Sequence, residues 1–246
     1  MYRILSTIIL LFISLEAIAQ EAIQLDRPDQ TETPAIVPKN YLQFESGFLY
    51  EKENRNNYSM QIPSVLWKYG VSDKTELRLI TELEYEVNQQ NHHLKLQPLA
   101  LGFKTALLEE HSWIPKTSFI GHLEIFGRNT EEIYVAVPSF RFVFHNTLSE
   151  DLNLGYNLGM IWDTDMQETY LYTITLGKSL HPKLGIYAEV YGFLTPNKIA
   201  DHRVDGGFTY LINNDFMIDF SAGVGLSRVS PQYYLAFGIS HRFNLK

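Results

Sequence analysis

The sequence has 246 residues, a formal net charge of −8 at pH 7 and no cysteine. The absence of cysteine excludes disulfide bonds, thiolate metal sites and a cysteine nucleophile. The acidic balance, with no basic stretch, argues against a nucleic-acid partner. We expect one domain, because all-β barrels run past about 200 residues as single units.

Residues 1–19 have the organisation of a secretory signal peptide. Arg3 gives a minimal positive start, Ile4–Leu15 is mostly apolar, and Ala17-Ile18-Ala19 matches the small-x-small cleavage pattern, so we expect Gln20 to begin the mature chain. The alternative is an uncleaved membrane anchor. It is disfavoured because a membrane-spanning helix needs about 20 apolar residues.

Residues 20–39 form a polar lead-in to the rest of the chain. Pro28, Pro34 and Pro38 interrupt it, and its composition suits neither a helix nor a strand. We therefore predict an extended segment here.

From residue 40 onward, apolar and polar residues alternate with a period of two. Leu154, Tyr156 and Leu158 fall on one face of their strand, whereas Asn153 and Asn157 fall on the other. The alternating segments reach roughly ten residues, the length that a tilted strand needs to cross a membrane. The sequence predicts twelve such strands: Asn40–Tyr50, Tyr58–Tyr69, Thr75–Val87, Leu94–Leu107, Lys116–Phe126, Tyr134–Asn146, Leu152–Asp163, Glu168–Lys178, Lys183–Thr195, His202–Leu211, Phe216–Leu226 and Tyr233–Phe243.

The connections fall into two sets, as an up-and-down meander requires. Small polar turns at 70–74, 147–151, 179–182 and 212–215 are assigned to the periplasm. Short segments rich in Asn and charge, at 51–57, 88–93, 127–133, 164–167, 196–201 and 227–232, are assigned to the outside. Aromatic residues cluster at strand ends, where interfacial girdles form in outer-membrane barrels. The alternative is a soluble β-sandwich or a lipocalin-like barrel, but lipocalin-like barrels use eight strands.

If one face of each strand lines a lumen, the charged residues opposite the apolar face line it. The candidates are Glu76, Arg78, Glu82, Glu84, Glu124, Arg141, Glu189, Asp219 and Arg242, together with Glu45, Glu86, His122, His145, Tyr187 and Asp205. The acids of the third strand could form a wall that favours cations or polar solutes. Alternatively, Arg78, Arg141 and Arg242 pair with the acids and close the interior.

A catalytic role finds little support in the sequence. His145 and Ser139 share one face of a strand but are six residues, about 20 Å, apart. His202 and Asp205 lie three residues apart and therefore point to opposite faces. His92-His93 would bind a metal only weakly. We expect no catalytic residues, no metal and no cofactor.

Several stretches resemble one family. Residues 26–34 with 37–39 and 43–47, and later 70–78, are similar to the opening of the family called "MetA-pathway of phenol degradation". The resemblance implies an outer-membrane transporter, and a lead-in that enters the periplasmic mouth with Asp26, Arg27 and Asp29 as gating contacts. The lead-in could equally be a disordered tether. The chain departs from the usual terminal aromatic residue, because Asn244-Leu245-Lys246 follows Phe243.

These observations predict an all-β protein, an up-and-down antiparallel transmembrane β-barrel of about 12 strands. We expect export by the signal peptide to the outer membrane of a Gram-negative bacterium. The expected partners are outer-membrane lipids and lipopolysaccharide, the barrel-assembly machinery and a small, hydrophobic or aromatic solute that the barrel passes as a porin-like channel. The alternatives are a closed structural or interaction barrel and, third, an outer-membrane hydrolase.

Overall fold

The computed structural model describes residues 21–89, 91–128 and 133–245. The predicted signal peptide, residues 1–19, lies outside the described residues, as do positions 129–132 of one predicted outer connection. The strands are β1 (Tyr41–Lys52), β2 (Asn57–Ser72), β3 (Thr75–Asn88), β4 (Asn91–Leu96), β5 (Leu99–Leu108), β6 (Lys116–Arg128), β7 (Ile133–Thr147), β8 (Leu152–Trp162), β9 (Glu168–His181), β10 (Leu184–Leu194), β11 (Asp201–Asn213), β12 (Phe216–Gly225) and β13 (Tyr233–Asn244). In these described parts of the chain no helix has the length and hydropathy that a membrane crossing requires.

The strands close into an antiparallel barrel. Strands pair with their neighbours in sequence, except that β5 pairs with β3 rather than with β4. The ring closes because β1 pairs with both β2 and β13, from Tyr41 opposite Asn244 to Lys52 opposite Tyr233. A closed ring satisfies its main-chain groups between strands, which is what a β-structure needs to lie within a membrane. The start of β1 and the end of β13 therefore lie at the same end of the barrel, called here the terminal end. The predicted barrel of 12 strands is confirmed, with one extra strand.

The extra strand arises where the sequence predicts a single strand, Leu94–Leu107. That strand is divided at Gln97-Pro98: β4 pairs with the distal half of β3, and β5 pairs with its proximal half. Proline has no N–H to donate to a ladder, which explains the break. The predicted outer connection 88–93 is wrong in detail, because most of it belongs to the β3–β4 hairpin.

The two faces of each strand differ as the alternation predicts. On β3, Glu76 is 0% and Arg78 3% exposed, whereas Leu77 between them is 52% exposed. On β8, Asn157 is fully buried and Leu158 is 55% exposed. The barrel therefore has an apolar outer surface and a polar interior, which matches the pattern of outer-membrane barrels.

Exposed aromatic residues lie toward both ends of the strands. Tyr170 and Tyr233 lie toward the end distal to the termini, while Trp67 and Tyr210 lie toward the terminal end. These are the positions at which aromatic rings form girdles at membrane–water interfaces.

Candidate functional site

The lead-in segment, residues 21–39, runs inside the ring of strands. Its main chain and side chains bond to residues of eleven strands, which surround it on every side. The strand residues are Gln43 and Glu45 of β1, Lys68 of β2, Glu76 and Arg78 of β3, Lys104 of β5, Ser118 of β6, Arg141 of β7, Asn157 of β8, Thr173 and Thr175 of β9, Glu189 of β10, Asp219 of β12 and Arg242 of β13. An irregular segment can lie in the interior because the barrel wall satisfies its polar groups.

Asp26 is the most heavily bonded residue of the lead-in segment. Its carboxylate lies 2.8 Å from Lys104 Nζ, 3.0 Å from Lys68 Nζ and 3.2 Å from Arg78 Nη1. Its main-chain N–H donates to Glu45 Oε2 at 2.9 Å, and Glu45 also pairs with Lys68. All five residues are buried. The third positive charge is matched by Glu76 and Glu32, which both pair with Arg78, so the buried cations all have acidic partners.

A second group of bonds holds Thr31. Its hydroxyl donates to the Glu189 carboxylate at 2.5 Å, accepts from the Thr175 hydroxyl at 2.8 Å and lies 2.6 Å from the Thr173 hydroxyl. The Gln30 N–H donates to the same Glu189 at 2.8 Å. Glu189 therefore binds the lead-in segment and is not a free acid in the lumen.

Asn157 forms hydrogen bonds with both main-chain polar groups of Glu32. It accepts from the Glu32 N–H at 2.7 Å and donates to the Glu32 carbonyl at 3.1 Å, which imitates the pairing of a neighbouring strand. The Glu32 carboxylate lies 2.7 Å from Arg78 Nη2 and 3.6 Å from Arg141 Nη1. Arg141 also donates to the Gln30 carbonyl at 3.1 Å.

The two ends of the lead-in segment are bonded as well. Arg242 donates to the Glu21 carbonyl at 2.7 Å and pairs with Asp215 at 2.8 Å. Near the other end, the Val37 N–H donates to Glu76 Oε2 at 2.7 Å. The segment is thus fixed from its first described residue to the start of β1.

Among the cavities that border the lead-in segment, two lie toward opposite ends of the barrel. One, of about 350 Å³, lies toward the terminal end and is lined by strands β7–β12, including Phe144, Tyr187 and Met217. The other, of about 150 Å³, lies toward the distal end and includes Tyr191 and Arg203. Both are lined by residues 27–29 of the lead-in segment, so this stretch separates them.

The predicted gating residues Asp26, Arg27 and Asp29 all lie in the interior, but they have different surroundings. Asp26 is in the ion cluster described above, and Arg27 Nη2 lies 3.5 Å from Asp219 Oδ1. Asp29 lines both cavities. Of the three, Arg27 and Asp29 belong to the partition and Asp26 does not.

The predicted lumen residues divide into two groups. Glu76, Arg78, Arg141, Glu189, Asp219 and Arg242 contact the lead-in segment, as does Glu45. Glu82, Glu84, Glu86 and Glu124 lie on the distal parts of β3 and β6, where Glu84 accepts from Gln97 and Glu86 pairs with Lys95 at 3.0 Å. The acids of β3 thus do not act as one wall, because Arg78 and Lys104 lie against Glu76 at the proximal part.

The predicted residues with possible catalytic chemistry have other contacts. His145 and Tyr187 line the larger cavity, and His122 packs on Gly102. His202 Nδ1 lies 2.9 Å from the Tyr172 hydroxyl, and Asp205 accepts from the Tyr234 hydroxyl. Across the described ranges, no group of three or more His, Asp or Glu side chains could hold a metal ion.

Sequence reasoning missed the basic residues that matter most, Lys68 and Lys104. Lys104 follows Phe103 and shares the parity of Ala100, so the period of two would have placed it inside. It also missed Thr31 and Asn157, because uncharged polar residues give a weaker signal. The sequence gives no indication that these residues meet the lead-in segment.

The architecture is similar to that of solved outer-membrane channels. It superposes on "CymD monoaromatic hydrocarbon channel" with a TM-score of 0.52 at 9% identity, over 85% of this chain and 89% of that one. An outer membrane channel from Pseudomonas putida F1 gives 0.60 at 8% identity, over 89% and 100%. The NanC porin gives 0.54 at 8% identity, over 81% and 98%. At such low sequence identities, the structural similarity shows a shared fold and nothing further.

Sequence comparison gives the family. No curated protein matches the chain significantly. The family model described as "Putative MetA-pathway of phenol degradation" matches residues 25–243, which include most of the lead-in segment and all of the strands up to the penultimate residue of β13. The protein belongs to this family.

Proposed function

We propose that the protein is a passive outer-membrane channel for small solutes, with the lead-in segment acting as a plug in its lumen. The observation that carries the proposal is the pair of cavities that approach residues 27–29 from opposite ends of a closed barrel. The apolar outer surface and the shared architecture with outer-membrane channels support the membrane location.

The size and lining of the larger cavity favour a small, partly apolar solute. Its wall combines apolar side chains, among them Leu25, Leu211 and Met217, with a similar share of polar ones, so a solute with both apolar and polar parts fits it. A cavity of about 150 Å³ holds benzene, so about 350 Å³ is ample for a monocyclic aromatic compound. One structural neighbour is a monoaromatic hydrocarbon channel, and a solute of that class agrees with the lining seen here.

The remaining parts of the proposal follow from location. Residues 1–19 act as a cleaved signal peptide, the barrel-assembly machinery inserts the strands, and lipids and lipopolysaccharide cover the apolar surface. The terminal end faces the periplasm. The protein has no catalytic role, in keeping with the channels and porins that share its architecture.

A closed structural barrel is the second candidate, and one observation favours it. Asp26, Lys68, Arg78 and Lys104 pair in a buried cluster, so part of the interior is filled by compensated charge. Such clusters hold a unique arrangement when complete and are costly to break.

Conductance in planar bilayers separates these two functions. We expect the mature protein to conduct weakly, and a variant that lacks residues 21–39 to conduct strongly, because the exposed wall charges would then be solvated by water in an open lumen. Heat-modifiable gel mobility controls for folding of both proteins. A folded deletion variant with no conductance would rule out the channel and leave the closed barrel.

Solute class is tested by uptake. A strain that lacks the gene, complemented with the deletion variant, should accumulate a labelled monocyclic aromatic compound faster than the same strain with an empty vector. Equal uptake by the two strains would contradict the assignment of the solute.

A further inference from the structure

Arg27 occupies a niche in the barrel wall that two glycines create. Gly47 of β1 and Gly238 of β13 are register partners across the closing seam of the barrel. A Cβ on Gly47 would lie 2.1 Å from Arg27 Cζ, and a Cβ on Gly238 would lie 2.8 Å from Arg27 Nε. The guanidinium group therefore fills the space that a side chain at Gly47 would take, and it shares the space over Gly238 with the carboxylate of Asp219.

The floor of the niche carries a buried carboxylate. Asp219 of β12 is the register partner of Gly238, and its side chain is 0% exposed. Its Oδ1 lies 3.5 Å from Arg27 Nη2, while its Oδ2 has no hydrogen-bond partner among the described residues. Within the same described ranges, the hydroxyl of Ser240, which is fully buried on the interior face of β13, also has none.

The niche therefore offers more hydrogen-bonding capacity than Arg27 uses. A guanidinium group has five N–H donors in one plane, and a carboxylate can accept two of them side by side. Arg27 makes one long contact with Asp219, and its Nε is itself buried without a partner in the part of the chain that the structure describes. The guanidinium group of a small compound, bound in place of Arg27, could satisfy the Asp219 carboxylate at least as well as Arg27 does.

Arg27 is also held more loosely than its neighbour in the chain. Asp26 contacts three cations at 2.8 to 3.2 Å, whereas the Arg27 side chain is 20% exposed and lines both cavities. Asp26 anchors the lead-in segment on one side of the partition, and Thr31 anchors it on the other. Between these anchors, Arg27 is the contact that can be exchanged.

We propose that the niche of Gly47, Gly238 and Asp219 is a guanidinium-binding site, that Arg27 occupies it in the closed channel, and that small guanidinium compounds compete for it. Displacement of Arg27 removes its side chain from the partition and widens the passage past Pro28 and Asp29 between the two cavities. This inference rests on the proposed channel function. The planar group is required because bulkier cations do not fit over the two glycines.

The first test places a methyl group in the niche. In Gly47→Ala the new Cβ collides with the far end of a flexible side chain, so Arg27 should leave while the barrel persists. We expect conductance to rise toward that of the variant without residues 21–39. Gly121→Ala is the matched control, because Gly121 lies on the outer face of β6 and lines neither cavity, and a Cβ there comes no closer than 3.1 Å, to the exposed ring of Phe103.

The second test supplies the ligand. Guanidinium chloride at millimolar concentration should raise the conductance of the wild-type channel, whereas tetramethylammonium chloride at the same ionic strength should not. Gly47→Ala should not respond to guanidinium, because its niche is already filled.

The outcomes are distinct. If folded Gly47→Ala conducts like the wild type, or if the wild type ignores guanidinium, while the variant without residues 21–39 conducts, the niche proposal is overturned and the channel stands. If that deletion variant is folded and does not conduct, the proposed channel function itself fails.

Discussion

At the scale of single residues, Lys104 shows how the barrel interior holds an irregular segment. Its ammonium group lies 2.8 Å from each oxygen of Asp26 and donates to the Thr33 carbonyl at 2.8 Å. The lysine thus joins a buried charge pair to the main chain of the same segment. Its contribution depends on both contacts, because a cation inside a barrel must be paired and fully bonded.

We expect Lys104→Met to loosen the lead-in segment without opening the barrel. Removal of one partner from a buried charge pair lowers stability by about 3–5 kcal/mol. Because Lys68 and Arg78 still pair with Asp26, we expect a loss near the lower limit. A cost of about 3 kcal/mol raises the population of the released segment roughly 100-fold. Hydrogen exchange of peptides covering residues 21–39 measures this change.

Lys178→Met is the control for that experiment. Lys178 and Asp151 are half-exposed and lie 3.5 Å apart, so their pairing contributes little. Exchange of residues 21–39 should be the same as in the wild type. Unchanged exchange in Lys104→Met as well would show that Asp26 is not a main anchor.

At the residue level, the face on which a strand residue lies can be read from the sequence, whereas its pairing with a distant residue cannot. Alternation places Glu76, Arg78 and Asp219 inside, and the structure has them buried. The partners of Asp26 are Lys68 and Lys104, 42 and 78 residues away, and no local pattern encodes that meeting. The two cavities are likewise products of the closed ring.

At the scale of elements, the turn between β5 and β6 is fixed by one carboxylate. Glu110 accepts from the Thr147 N–H at 2.6 Å and from the Thr147 hydroxyl at 2.8 Å, which ties this turn to the end of β7. These hydrogen bonds, the main-chain one first, lower the pKa of Glu110 below its ordinary value of 4.5. The turn lies outside the membrane-spanning part of the barrel.

The hydrogen bonds between Glu110 and Thr147 are called here the clamp. The direction of the pKa shift sets the pH range over which the clamp stabilises the turn. Because the pKa is lower when the clamp forms, its stabilisation is complete above pH 4.5 and is lost as pH falls through the shifted pKa. We expect the side-chain carboxyl resonance of Glu110 in detergent micelles to stay nearly constant from pH 7 to 4.5 and to move only below that. A wild-type Glu110 transition above pH 4.5 would contradict the clamp, and in Glu110→Gln the Thr147 amide resonance should show no transition below pH 4.5.

The strand boundaries show why elements were predicted well but not completely. Period and length locate twelve strands within a few residues of their observed ends. The break at Gln97-Pro98 was missed although the proline was visible, because apolar alternation continues on both sides of it. The Gln97 N–H bonds to the Glu82 carbonyl at 2.8 Å, a contact that only the paired strand reveals.

At the scale of the whole molecule, the apolar outer surface must match the lipid. Leu158, in the middle of β8, faces outward between Phe142 and Tyr172 of the adjoining strands. Leu158→Arg should destabilise the barrel in vesicles by about 2–4 kcal/mol, the cost of arginine near the bilayer midplane. Urea titration of folding into lipid vesicles measures it.

Leu148→Arg provides the comparison for this variant. Leu148 is equally exposed but lies in the turn between β7 and β8, where charge is solvated. Its stability should stay within about 1 kcal/mol of the wild type. Similar losses in both variants would mean that the outer surface of β8 does not contact the lipid core.

The bonding of the lead-in segment has a consequence for the order of assembly. Its partners in the barrel wall follow it in the chain, from Glu45, 19 residues after Asp26, to Arg242, 221 residues after Glu21. The lead-in segment, which is synthesised before every strand of the barrel, can complete its bonds only when the last strand is in place. Contacts of such sequence separation form late and slowly. The position of the segment therefore indicates whether the barrel is complete. A barrel that has lost or misplaced one of the eleven strands that bond to the segment lacks some of its partners, and the lead-in segment stays outside.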